Sequence, residues 1–188
     1  MKRLSVYQDH YSQESKRWVN KEYLDDGHDQ IKELVETILK NPDSRRIIVC
    51  GWNATEKSLV NPPPCHHTFQ VSVMDGTLHL LLMQRSGDLF LGVPTNIMFY
   101  SLLMHVLAKV CNLKVGVFSH MIADAHIYLD HIDQMNEQIN REPFELPTIQ
   151  IHDRLSGTGF DGLMDFKYED IILSNYKSHP PLKGKMSV

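Results

Sequence analysis

Long apolar runs, paired cysteines, internal repeats and an excess of positive charge are all missing from these 188 residues. No apolar stretch reads as long enough to span a bilayer, and Met1-Lys2-Arg3-Leu4-Ser5 lacks the apolar core of a signal peptide. The three cysteines (Cys50, Cys65, Cys111) are odd in number and far apart. With no CxxC or zinc-ligand spacing they exclude a disulfide framework and point to no metal, and so to a reducing, cytoplasmic setting. A net charge of −4 argues against a surface built for a nucleic-acid polymer. What remains is ordinary: 42% hydrophobic and 22% charged residues, one domain large enough to bury its own core.

The chain divides cleanly by pattern. Residues 1–28 are polar and irregular, with Trp18 as the single large anchor. Ile31, Leu34, Val35, Ile38 and Leu39 form a helical stripe over Asp29–Lys40, with Asp29 at its start and Asn41-Pro42 at its end. Arg46–Trp52 reads as a buried strand, and residues 55–64 as a proline-rich loop delivering Cys65. Phe69, Val71 and Val73 alternate with polar neighbours, Asp75-Gly76 supplies a tight turn, and residues 77–85 return as a hairpin. A hydrophobic helix is expected over Asn96–Val110, with Ile97, Tyr100, Leu103, Met104 and Leu107 on one face. A strand is expected over Val115–Tyr128 and a short polar helix over Asp130–Asn140. Strand-like pieces follow at Thr148–His152 and Phe166–Leu173, with turns around Gly157–Gly162. Helices interleaved with hairpins imply a mixed α+β domain.

Chemistry-bearing residues concentrate between Pro62 and Asn96. Cys65 follows three prolines and precedes His66 and His67. A stiff loop can hold a thiol at a cleft, and a nearby cation such as Arg85 favours the thiolate; a small buried hydrophobe is the competing reading, and it suits Cys50 and Cys111. Arg85 and Ser86 end an apolar strand beside Gln84 and Asp88, a combination suited to phosphate. Arg45-Arg46 read equally as solvated charge on a turn. Asn96 serves either as a helix cap or as an amide reading a pyrimidine edge. His126 and Tyr128 are two apart, hence on one side of a strand, as structural hydrogen bonds or as contacts to ligand hydroxyls.

In their order and spacing, Asn41-Pro42-Asp43-Ser44-Arg45-Arg46, Trp52-Asn53, Pro64-Cys65-His66, Gln84-Arg85-Ser86, Leu91-Gly92-Val93-Pro94-Thr95-Asn96, Asp124-Ala125-His126-Ile127-Tyr128 and Arg141-Glu142-Pro143 resemble the thymidylate synthase family. The resemblance covers residues 29–188 and leaves 1–28 poorly matched. It implies a mixed sheet flanked by helices in one domain. It also implies reductive methylation of dUMP, with 5,10-methylenetetrahydrofolate supplying both carbon and hydride. Carried over by position, Cys65 is the thiolate that adds to C6 of the ring, with His66 in the proton and water network. Arg85 and Ser86 hold the 5′-phosphate, and Arg45 and Arg46 reach it from a neighbouring subunit, which implies a homodimer. Asn96 reads the uracil, His126 and Tyr128 bind the sugar hydroxyl, Gln84 supports, and Asp88, Leu91 and Gly92 line the folate side.

The sequence also departs from the family. A phosphate-binding arginine loop, a glutamate for proton transfer and folate-side tryptophans have no counterpart in these 188 residues, Thr95 replaces a phenylalanine, and the last residues, Met186-Ser187-Val188, are altered. These departures keep two alternatives open: a deoxyuridylate hydroxymethylase, or a truncated or split homologue that binds nucleotide without turnover. Asn96 in place of aspartate favours uracil over cytosine.

Overall fold

The computed structural model describes residues 9–12, 17–20, 28–54 and 60–186, the first two stretches as backbone only. Along the chain run β1 (Asp9–Ser12), β2 (Arg17–Asn20), α1 (Gln30–Lys40), β3 (Ile48–Cys50), β4 (His66–Met74) and β5 (Thr77–Asp88). Then come α2 (Gly92–Val110), β6 (Lys114–His126), α3 (Ile132–Ile139), β7 (Thr148–Ile151), α4 (Gly159–Met164) and β8 (Ile171–Ser174).

The central sheet grows from Asp75-Gly76. Both residues take positive φ, 49° and 71°, as the type I′ turn requires, and that turn's twist matches two antiparallel strands. It sets Met74 opposite Thr77 and Phe69 opposite Leu82. Outside β4, β3 pairs antiparallel; outside β5, β6 pairs parallel, for a sheet order β3-β4-β5-β6. A parallel neighbour needs a crossover, and α2 provides it. The expected mixed sheet flanked by helices is what forms.

One face of this sheet makes the core. Leu78, Leu80 and Leu82 of β5 are almost wholly buried against Val71 and Phe69, under Leu34, Val35 and Ile38 of α1 and Tyr100, Met104 and Leu107 of α2. Each such aliphatic side chain contributes about 1.5–3 kcal/mol on burial. Asp29 caps α1 as its sequence position suggested, its carboxylate accepting from Lys32 N at 3.0 Å. The opposite sheet face is open: Ile48, Val117 and Met121 are 46%, 59% and 54% exposed.

β3 is short, lies at the edge of the sheet and buries only Val49, with Ile48 and Cys50 on its exposed face, so Cys50 is exposed rather than a buried hydrophobe. Helix α2 starts at Gly92, so Asn96 lies inside it and is not its cap; Pro94 sits in the first turn, where its missing N–H costs nothing. At 19 residues α2 is also long and apolar enough to span a bilayer by length and composition, contrary to the sequence reading. Seven of its residues are buried, Tyr100, Met104 and Leu107 among them, and it packs on β5 and β6. The Gly157–Gly162 region is not all turn but includes most of α4, and Phe166–Leu173 contains a 3-10 turn before β8. Residues 1–28, expected to be irregular, contain the antiparallel pair β1–β2, in which Tyr11 faces Trp18 in the register. The side chain of Trp18, residues 55–59 of the proline-rich loop, and Ser187 and Val188 lie outside the described residues.

Candidate active site

The chemistry-bearing residues converge at the carboxyl ends of β5 and β6, beside the start of α2. Parallel register sets Ser86 opposite Asp124, Gly87 opposite Ala125 and Asp88 opposite His126. The carboxyl end of a parallel pair is where open α/β sheets leave a crevice. Gly87 is needed for this closeness: a Cβ there would stand 2.8 Å from Val93 Cγ2 and 3.0 Å from Ile122 Cγ2.

Cys65, half-buried, lies just before β4. The register slips between His66 and Thr68, a bulge of the kind that re-aims side chains beside active sites. Arg85 holds the cysteine's loop. Its Nε donates to Pro64 O at 3.1 Å and its Nη2 to Pro63 O at 2.7 Å, while Arg85 N donates to Cys65 O at 2.8 Å. The guanidinium thus acts as a buckle on the segment that presents the thiol. In the core, burial pushes the Cys111 thiol up to about 11, which keeps it protonated at neutral pH.

Behind Cys65, His66 Nδ1 lies 2.9 Å from the Tyr100 hydroxyl. Burial raises the Tyr100 phenol above its ordinary range, so it stays neutral. Gln84 is 3% exposed and fully engaged: Nε2 donates to Ser86 O at 2.8 Å and to Asn96 Oδ1 at 3.1 Å, and Oε1 lies 2.9 Å from His120 Nε2. His120 is held below the ordinary imidazole range by burial and, secondarily, by His66.

Asp88 closes the turn into α2, with Oδ1 accepting from Phe90 N at 2.9 Å, and Leu89 N donates to His126 O at 2.9 Å. Leu91 and Gly92 follow at the mouth of the crevice as the N-terminus of α2. His126 ends β6, with Nδ1 3.3 Å from Asp124 O and 3.6 Å from its carboxylate. The Tyr128 ring meets it edge-on at 5.1 Å. Ser86 Oγ makes no hydrogen bond among the described residues, and no cluster there has the three His, Cys, Asp or Glu side chains to hold a metal.

Arg45 and Arg46 are not part of this gathering. Continuing the β3–β4 register puts Arg46 beside Ser72, six residues along β4 from His66, or about 20 Å at ~3.3 Å per residue.

Three participants carried no motif signal: Tyr100, His120 and His131. His131 is fully buried under Phe90 and Tyr128, and its Nε2 lies 2.8 Å from Lys185 O. Arg141, from the Arg-Glu-Pro motif, donates to Pro180 O at 2.8 Å. Together they fasten the C-terminal segment next to the crevice. The detectable sign of His120 was a polar residue in the inward phase of an alternating strand, Phe118-Ser119-His120-Met121-Ile122.

Comparison with known proteins adds an independent result. A family model described as thymidylate synthase matches residues 5–188. A thymidylate synthase of Mycoplasma mobile is 49% identical over 162 residues, 86% of this chain and 54% of that protein. One from Staphylococcus haemolyticus is 45% identical over 178 residues, 95% of this chain and 54% of its own. A third, from Francisella philomiragia, is 44% identical over 186 residues, 92% of this chain and 65% of its own. The chain thus spans a little over half the length of these curated relatives.

Proposed function

The chain belongs to the thymidylate synthase family, and from that premise we propose that its crevice binds dUMP and methylates it to dTMP with methylenetetrahydrofolate. The observation that carries this reading is Cys65 on a loop fixed by Arg85, at the end of the strand that also bears Gln84, Ser86 and Asp88. Addition of the Cys65 thiolate forms an S–C6 bond and sends the C5–C6 π pair toward O4. C5 then attacks the folate's methylene carbon and loses its proton. The methylene–nitrogen bond breaks to leave an exocyclic methylene on C5, one hydride from the folate converts that methylene to methyl, and the Cys65 thiolate leaves C6. A thiolate suits this step because it is a soft nucleophile and a good leaving group. The His66–Tyr100 pair, 2.9 Å apart, supports a proton path beside the ring. The three relatives above all carry the synthase name, which disfavours hydroxymethyl transfer.

The same reading makes the protein a homodimer with shared phosphate sites. The open sheet face carries exposed apolar residues from β3, β4 and β6, an area that a second copy would cover. Along that face the Arg45-Arg46 end and the Cys65-Arg85 end lie at opposite extremes. In such a dimer, a two-fold axis through the middle of that face would bring one copy's arginine pair toward the other's crevice. The three free thiols, one of them exposed, suit a cytoplasmic setting. Titration calorimetry tests the substrate: saturable binding of dUMP, preferred over dCMP, is expected, and absence of saturable dUMP binding overturns the reading.

A further inference from the structure

We infer that His120 fixes the orientation of the Asn96 amide by acting through Gln84, and that it is thereby a positioning residue for choosing uracil over cytosine. The inference rests on the dUMP reading above. Its logic starts from Ser86 O, a main-chain carbonyl that can only accept. It lies 2.8 Å from Gln84 Nε2, so the amino end of the Gln84 amide is turned that way. The second hydrogen of that amino group goes to Asn96 Oδ1 at 3.1 Å. Gln84 Oε1 is then committed to His120, 2.9 Å away, so His120 Nε2 must carry a proton. An amide has distinct donor and acceptor ends, and the network assigns both here.

The consequence reaches the ligand. With its carbonyl turned to Gln84, Asn96 presents Nδ2–H to a carbonyl such as uracil O4 and keeps one Oδ1 lone pair for N3–H. Cytosine would set its amino group against that donor. If His120 carried its proton on Nδ1, its Nε2 lone pair would oppose Gln84 Oε1, and Ser86 O alone would be left to hold the amide against a flip that turns its amino end to His120 and its carbonyl to Asn96. At 3% exposure, Gln84 has little water to turn to, and an unpaired buried acceptor is costly. Burial and the neighbouring His66 keep His120 neutral at neutral pH, so only one ring nitrogen is protonated and the choice of tautomer matters.

The test compares dUMP and dCMP affinities by calorimetry for the wild-type chain, His120→Phe and His120→Gln. Phenylalanine keeps a ring against Phe118, 5.8 Å away between centroids, but has no donor; glutamine returns an N–H near the place of Nε2. Loss of one oriented hydrogen bond corresponds to about a tenfold fall in the dUMP-to-dCMP ratio for His120→Phe, with most of it restored in His120→Gln. An unchanged ratio in His120→Phe overturns the inference. A wild-type chain without dUMP preference overturns the nucleotide reading instead, and the inference with it. Should His120→Phe fail to fold, ¹⁵N NMR of histidine-labelled wild-type protein decides alone: a proton on Nε2 of His120 is expected, and one on Nδ1 refutes the relay.

Discussion

Replacing Arg85 with methionine separates two roles that sequence alone merges, holding an anion and holding the loop. The side chain gives two hydrogen bonds, to Pro63 O at 2.7 Å and to Pro64 O at 3.1 Å. Bonds from a charged donor contribute about 1.5–3 kcal/mol each, or roughly 3–6 for the pair. Arg85 is only half-buried and the freed carbonyls regain water, so about half of that, roughly 1.5–3 kcal/mol, is the expected loss. Methionine preserves the stem's packing, and the main-chain bond from Arg85 N to Cys65 O survives. Urea unfolding followed by circular dichroism, at one protein concentration because association shifts apparent stability, should show a lower midpoint at unchanged slope. Arg85→Lys decides the cause: a lysine keeps the charge but cannot span two carbonyls as a fork, so it should recover little. If both variants stay within about 0.5 kcal/mol of wild type, the range of an uninvolved surface position, the buckle is not what holds this loop.

Other outcomes follow from the same geometry. Asn96→Asp should move binding preference from dUMP toward dCMP, read by calorimetry, since a carboxylate accepts from the cytosine amino group and cannot donate to O4. Mixing Arg46→Ala with Cys65→Ala protein should rebuild one whole site per mixed dimer, giving a covalent adduct on about one subunit in four after free exchange; no adduct despite exchange would refute the shared site. Arg154 hydrogen-bonds to both Asp170 and Asp165 and, by those bonds, holds both carboxyls below their ordinary value of 3.8. A depressed carboxyl stabilises the fold above its unfolded value and loses that effect as pH falls through the folded one. The melting-temperature gap between wild type and Arg154→Met should therefore be full from about pH 5 upward and shrink on acidification.

The parts of the fold legible in the sequence are those governed by local chemistry. Asp75-Gly76 demanded positive φ and announced the hairpin; the Ile31–Leu39 stripe with Asp29 before it announced α1. What was misread depended on distant packing. Asn96 looks like a helix cap from its own sequence, and only the helical path of Gly92-Val93-Pro94, tucked beside Gly87, moves the true start back one turn. Cys50 looked buried because nothing in an apolar tripeptide says that its strand is an edge with one open face. The site residues named by motif do gather at the ends of β5 and β6, except Arg45 and Arg46, which sheet register carries to the far end. The roles of His120 and of Tyr100, which reads only as a member of an apolar helix face, were not legible because they lie in what each touches, 36 and 34 residues away in sequence.

The central claim is that Cys65 is the nucleophile of a dUMP site, and a covalent trap tests it most directly. The chain is incubated with 5-fluoro-dUMP and methylenetetrahydrofolate, digested, and its three cysteine peptides weighed by mass spectrometry. The expected result is one adduct, on the peptide that carries Cys65, and none in Cys65→Ala. An adduct on Cys50 or Cys111, or one that survives Cys65→Ala, contradicts the claim.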